Sequence, residues 1–265
     1  MRRVHPTSIV DRRAEIAADV EIGPFCRVDA SVRIGAGTRL VSHVALTGDT
    51  TLGEGNVIHP FAAIGGEAQV RKGQDSEGTR YALEIGDHNV FRESVTVNVS
   101  SGDGATRIGS NNLFMAGCHV AHDVRVGSRC VIANAVQLAG HVTIEDWVTF
   151  GGLAGVAQHL QVGQGAFVAA GAMCERDVPP FVIVQGDRAR VRALNVVGLE
   201  RRGLPAESIA ALRRAFARLW GARDRSFEDA LHALDRSDPW VDIFAAWLAD
   251  PARSLKAAKR SAPRR

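Results

Sequence analysis

A six-residue period runs through most of this chain. Stepping by six from Val4 gives Val10, Ile16, Ile22, Val28, Ile34, Leu40, Leu46, Leu52, Ile58, Ile64 and Val70, all apolar. A second ladder starts at Ile108 and continues through Phe114, Val120, Val126, Ile132, Leu138, Ile144, Phe150, Val156, Val162 and Val168. Ile85, Phe91 and Val97 form a short run between them. Six is neither the helical period nor simple strand alternation. It is the period of a hexapeptide β-helix, in which three hexapeptides close one triangular coil of about 18 residues. The ladder residue points inward from each flat face. Two places earlier stand small or apolar residues such as Val20, Cys26, Val32, Val44, Cys118 and Cys130, which form a second inward position. Glycine often follows the ladder residue, as at Gly23, Gly35, Gly53 and Gly127, where the chain must turn a corner.

The repeat is interrupted at 71–83 and 99–106, two polar, glycine-containing stretches that read as loops leaving a coil. Loops held on a rigid scaffold tend to carry function. The period fades near Pro179 and Pro180, and a last strand, FVIVQG, follows. Beyond about residue 190 the spacing becomes helical. Ile209, Leu212, Phe216, Leu219 and Trp220 share one face, and Ser226 and Asp238 read as N-caps of further helices. The expected organisation is a mainly β protein: a parallel β-helix over residues 1–187 and a small C-terminal helical domain over 188–265. Charge divides along the same boundary. The first part holds 15 basic and 20 acidic residues, the second 17 and 9. A basic helical face suits an acidic partner, but no aromatic–basic interleaving or DNA-binding motif points to nucleic acid.

No apolar run is long enough for a membrane span, and the first residues lack the apolar core of a secretory signal. The four cysteines form no CxxC pair, and Cys26, Cys118 and Cys130 fall on the inward register. Inert thiols in a reducing cytoplasmic setting are therefore expected.

Phosphate-binding loops and nucleophile elbows are missing from the sequence. The informative cluster is histidine: His119, His122, His141 and His159. Asp123, His141 and His159 are one coil apart and form a column on an edge of the prism. His122 lies beside Asp123, with Gly140 and Gln158 stacked over it. Such a column can be a general base with polar neighbours, a metal site, or a polar ladder that holds coils together.

The stretch HVAHDVRVGSRCVIANAVQLAGHVTIEDWVTFGG, from His119 to Gly152, resembles the acyl-carrier-protein-dependent UDP-N-acetylglucosamine O-acyltransferases of lipid A synthesis. The resemblance extends through IGPFCRV, SHVAL, IGDHNVFRESVTV, DVPPFVIVQG and NVVGLERRG, and so over nearly the whole chain. It implies a left-handed parallel β-helix assembled as a homotrimer, with active sites in clefts between neighbours. It also implies transfer of a fatty acyl group, usually 3-hydroxylated, from acyl carrier protein to the sugar 3-hydroxyl. No metal or separate cofactor is implied, since the donor carries its own phosphopantetheine arm. His122 matches the family's general base, Asp123 the carboxylate that orients it, and the Gly140 N–H the oxyanion donor. His119, His141 and Gln158 match positions lining the sugar and acyl cleft. Asn195, Arg201 and Arg202 match positions near the nucleotide, Lys72 a loop lysine, and Ala170 the region that limits acyl-chain length.

The sequence departs from the family around the substrate. Ala157, Gln158 and His159 stand where an HQF-like triplet is usual, Val197 replaces an acidic residue, Asn98 a frequent histidine, and Ser76–Thr79 a GEP-containing segment. These changes leave room for an N-acyltransferase acting on an amino nucleotide sugar. A zinc lyase of the γ-carbonic anhydrase type and a catalytically silent binding protein are the other readings.

Overall fold

The computed structural model describes residues 3–70, 80–221 and 226–251. The chain winds as a left-handed parallel β-helix whose coils are built from very short strands. Strands one coil apart pair in parallel, so the three faces become sheets of 11, 9 and 8 strands. Typical pairs are Glu21 with Arg39, Arg27 with Ala45 and Arg125 with Thr143. Because each coil hydrogen-bonds to the next, few strand edges remain open.

The ladder forms the core. Leu40, Leu46, Ile58, Ile64, Phe91, Phe114, Ile132 and Phe150 are fully buried. The first coil has nothing beneath it, and Val4 and Ile9 are exposed. Val70 corrects the periodic reading. It is 42% exposed, because the coil ends at the strand Ala63–Gly66 and the chain leaves the helix there. Of the stretches expected as loops, 71–79 lies outside the described residues, while 81–83 and 104–106 belong to strands. Tyr81–Ile85 and Gly104–Ile108 pair along their whole length. All four cysteines are buried free thiols. Burial raises the Cys118 pKa to about 11 and those of Cys130 and Cys174 to about 12, so they are poor nucleophiles.

The second inward column is not uniformly apolar. Between Val20 and Cys130 it holds Thr38, Asn56, Asn89 and Asn112, all essentially inaccessible to solvent. The Asn56 amide donates to the carbonyls of Gly53 and Gly86 at 3.0 and 2.9 Å. Asn89 donates to Gly86 and Gly109, and Asn112 to Gly127. The Oδ1 atoms of Asn56, Asn89 and Asn112 accept the backbone N–H of Asn89, Asn112 and Cys130 above them. A continuous ladder thus satisfies the polar backbone at one corner, where an apolar residue would leave inward carbonyls unpaired.

Corners place many side chains in the left-handed region of backbone space, including Asp123, His141 and His159 with φ of 61°, 61° and 65°. Past the last coil, Val182–Gln185 pairs antiparallel with Arg190–Leu194. The sheet therefore runs beyond the boundary drawn at residue 187. Among the described residues four helices follow: α1 (Val196–Arg201), α2 (Ala206–Gly221), α3 (Phe227–His232) and α4 (Pro239–Ala249). The hydroxyl of Ser226 and the carboxylate of Asp238 cap α3 and α4. Phe181, at the top of the coil, meets Trp240 and Phe244, and the Trp247 indole donates to Glu145 at 3.1 Å. The helices close the C-terminal end of the core.

Candidate active site

The site forms where the corner carrying Asp123, His141 and His159 meets a face of the coil. His119–Val120 is a strand on that face, and the chain turns the corner immediately after it. The Asp123 N–H donates to the Thr106 hydroxyl at 2.8 Å, and the His122 carbonyl accepts the His141 N–H at 3.1 Å. This corner backbone, repeated from coil to coil, fixes where each ring can lie.

His122 Nδ1 lies 2.7 Å from Asp123 Oδ2. Beside an ionised carboxylate, Nδ1 carries the proton and Nε2 is left as the basic nitrogen. The ring packs against Gly140: a β-carbon there would lie 2.5 Å from His122 Cε1 and 2.7 Å from Nε2. The Gly140 carbonyl accepts the His159 N–H, while the Gly140 N–H has no acceptor among the described residues. Next to this face runs a groove of about 510 Å³, lined by His119, His122, Gly140, Gly155, Gln158 and Met173 among others.

Asp123 titrates below the ordinary carboxylate value. Burial pushes it up, but hydrogen bonds from Ser101 and His122 and the charge of His141 outweigh that. His119 shares a 2.8 Å hydrogen bond with the Thr96 hydroxyl, and burial, helped by nearby His122, lowers its pKa. The His141 ring meets His122 edge-on at 5.1 Å and stacks on His159 at 4.6 Å. One ligand atom each from His122, Asp123 and His141 lies within 4.8 Å of the others, a spacing that could hold a divalent ion. The Asp123 oxygen nearest the rings already accepts hydrogen bonds from Ser101 and His122, and this competes with a metal.

The sequence-derived candidates do not all converge. His119, His122, Gly140 and Gln158 line one groove, and Asp123 and His141 adjoin it. Ala170 is exposed one coil above Gly151 and outside this groove. Lys72 lies outside the described residues. Arg201 is exposed at the end of α1. Asn195 and Arg202 have internal partners that motif spacing did not reveal. The Asn195 amide donates to the Gly165 carbonyl at 3.0 Å and accepts the Gly198 N–H at 3.1 Å, capping α1. Replacing Asn195 with Ala is expected to cost about 1–2 kcal/mol of stability, read as a lower urea midpoint. The Arg202 guanidinium lies over the rings of Trp147, Trp240 and Phe181 at 5.3, 5.3 and 5.8 Å and donates to Gln164 at 3.3 Å. It latches the helices to the coil. Sequence reading missed Ser101, whose place beside Asp123 depends on how the loop after Asn98 folds back.

A left-handed β-helix of hexapeptides is the fold of the hexapeptide transferases, and here a histidine–carboxylate pair faces its groove. Residues 105–140 match the family described as bacterial transferase hexapeptide, and residues 177–255 match domain 2 of the UDP N-acetylglucosamine O-acyltransferases. Among solved structures, LpxA from Acinetobacter baumannii is 35% identical, with 92% of this chain and 96% of that chain covered and a TM-score of 0.85. The UDP-N-acetylglucosamine O-acyltransferase of Moraxella catarrhalis is 34% identical over 94% and 98%, with a TM-score of 0.86. The Arabidopsis UDP-N-acetylglucosamine acyltransferase is 31% identical over 94% and 98%, with a TM-score of 0.83. This chain belongs to the UDP-N-acetylglucosamine acyltransferase family. Among the described residues no helix is long and apolar enough to cross a membrane.

Proposed function

We propose that this protein moves a 3-hydroxy fatty acyl group from acyl carrier protein to the 3-hydroxyl of UDP-N-acetylglucosamine, as the first step of lipid A synthesis in the cytoplasm. The observation that carries the reading is the His122 ring, tied to Asp123 through Nδ1 and packed against Gly140 beside the groove. Nε2 takes the proton of the sugar hydroxyl as its oxygen attacks the thioester carbonyl. Asp123 stabilises the imidazolium that forms. The Gly140 N–H, free of an internal acceptor, holds the oxyanion. When the intermediate collapses the C–S bond breaks, and His122 returns the proton to the departing phosphopantetheine thiolate. A thioester is already activated, so a placed base and one oxyanion donor suffice and neither metal nor further cofactor is needed.

His119, His141 and Gln158 would contact the sugar and acyl chain, with Arg201 toward the nucleotide phosphates. Asn195 and Arg202 would shape that end of the site, through the cap and the ring stack described above. The basic helical part would face the acidic carrier protein. A homotrimer is favoured by one exposed corner: Phe25 and Phe61 are 58% and 64% exposed with His43 between their rings, and Leu153 lies farther along the same edge.

The test is a transfer assay with 3-hydroxyacyl carrier proteins of several lengths, offering UDP-N-acetylglucosamine or its 3-amino analogue. Transfer to the hydroxyl sugar is the expected result. Transfer to the amine alone would replace it with N-acylation. No transfer, with stoichiometric zinc on the purified protein, would favour a metal lyase; no transfer without zinc would favour a binding protein. In the same assay Ala170→Met is expected to shift preference toward shorter chains, since the family resemblance puts Ala170 where acyl-chain length is limited. An unchanged chain-length profile would remove Ala170 from the acyl site.

A further inference from the structure

We infer that Ser101 is a positioning residue for the His122–Asp123 pair, fixing the Asp123 carboxylate through its hydroxyl and backbone N–H. Asp123 Oδ2 accepts three hydrogen bonds: from His122 Nδ1 at 2.7 Å, the Ser101 hydroxyl at 2.6 Å and the Ser101 N–H at 3.1 Å. His141 Nε2 stands farther off, at 3.6 Å. Two donors on the far side of one oxygen fix the carboxylate in space, and with it the ring of His122.

Ser101 is delivered by a built loop. Its neighbour Ser100 is fully buried, and the Ser100 hydroxyl donates toward the carbonyls of Gly102 and Gly104, each at 3.0 Å. The same hydroxyl accepts the Ala82 N–H at 3.1 Å from the strand below. One serine pins the loop to the coil; the next reaches across to the coil above. The interruption of the hexapeptide repeat thus contributes directly to the site.

The chemistry favours a donor here. A half-buried carboxylate beside a histidine can take the ring proton or remain an acceptor. Hydrogen bonds to its charged form favour the second outcome. His122 then holds its proton on Nδ1 and presents Nε2 to the groove. Besides His122, the ionisable groups around this carboxylate among the described residues are His141 on the same corner, His159 stacked beyond it, and His119 on the adjoining face.

The inference uses the proposed reaction only as one readout, so the test has two arms. Ser101→Ala removes the hydroxyl and keeps the N–H; Ser101→Thr keeps both. In the first arm, carbon NMR follows the Asp123 carboxyl through an acid titration without substrate. Its midpoint is expected to rise toward the ordinary value in Ser101→Ala and to return in Ser101→Thr. In the second arm, Ser101→Ala is expected to lower kcat about tenfold with little change in KM, and Ser101→Thr to recover most of it. The melting temperature is measured for both variants. An unmoved Asp123 midpoint in folded Ser101→Ala overturns the inference, whatever the activity. A moved midpoint with wild-type kcat also overturns it, because the hydrogen bond would then be structural only. If the wild-type protein transfers no acyl group, the acyltransferase reading fails and the titration arm alone decides the role of Ser101.

Discussion

His122→Ala is expected to reduce acyl transfer by about 10²- to 10⁴-fold, mostly in kcat, while the protein keeps its fold. The two halves of this result have separate physical grounds. His122 lies in the wall of a groove, outside the apolar ladder, and its side chain is 13% exposed. Its loss leaves no void among the stacked Leu, Ile and Phe residues, so the melting temperature should change little. Its loss removes the basic nitrogen held beside Gly140, and no described neighbour replaces it. His141 is turned edge-on and is stacked on His159. His119 Nδ1 is bonded to Thr96. Residual transfer would reflect binding and the Gly140 N–H alone. Steady-state kinetics with carrier-bound substrate, alongside circular dichroism, check both halves. A variant with near wild-type kcat would remove His122 from the base role and direct attention to His119 or His141.

The ladder was legible because a β-helix repeats one environment in every coil. A side chain six residues on meets the same core, so periodicity alone located the apolar ladder of the coils. Val70 failed because the last step of the pattern fell where the chain departs from the coil, a departure that alternation of apolar residues does not record. The asparagine ladder was missed for a related reason. Asn56, Asn89 and Asn112 are polar, and the inserted segment between Asn56 and Asn89 hides their common column. The histidine column was legible because Asp123, His141 and His159 are separated by one regular coil. Residues joined by irregular segments were not. Ser101 meets Asp123 from an irregular loop that Ser100 anchors to the coil. Asn195 and Arg202 were read from a motif as nucleotide contacts. Their hydrogen bonds to Gly165, Gly198 and Gln164 depend on where the last coil stops and the helices pack. Motif spacing carries chemistry, but it does not separate a ligand contact from a cap or a latch.

Gly140→Ala should be nearly as damaging to transfer as loss of His122, by a different route. The added methyl would fall 2.5 Å from His122 Cε1 and 2.7 Å from Nε2, well inside contact distance. Gly140 has no positive φ, so the backbone accepts alanine without torsional strain. The methyl meets a side chain, so His122 is the group that must move. It can do so only by breaking the 2.7 Å contact to Asp123 or by swinging out into the groove. A displacement of about 1 Å in a reacting group is enough to cost about a hundredfold in rate. The Gly140 N–H stays in place, so the proposed oxyanion donor is kept. The expected loss, about 10²-fold or more in kcat with the melting temperature preserved, would therefore report the position of the base. Pairing Gly140→Ala with His122→Ala gives the decisive comparison. If both act through the ring, the double variant should be no worse than His122→Ala alone. Additive losses would mean that Gly140 serves the reaction independently of His122, through access to the groove or through its N–H.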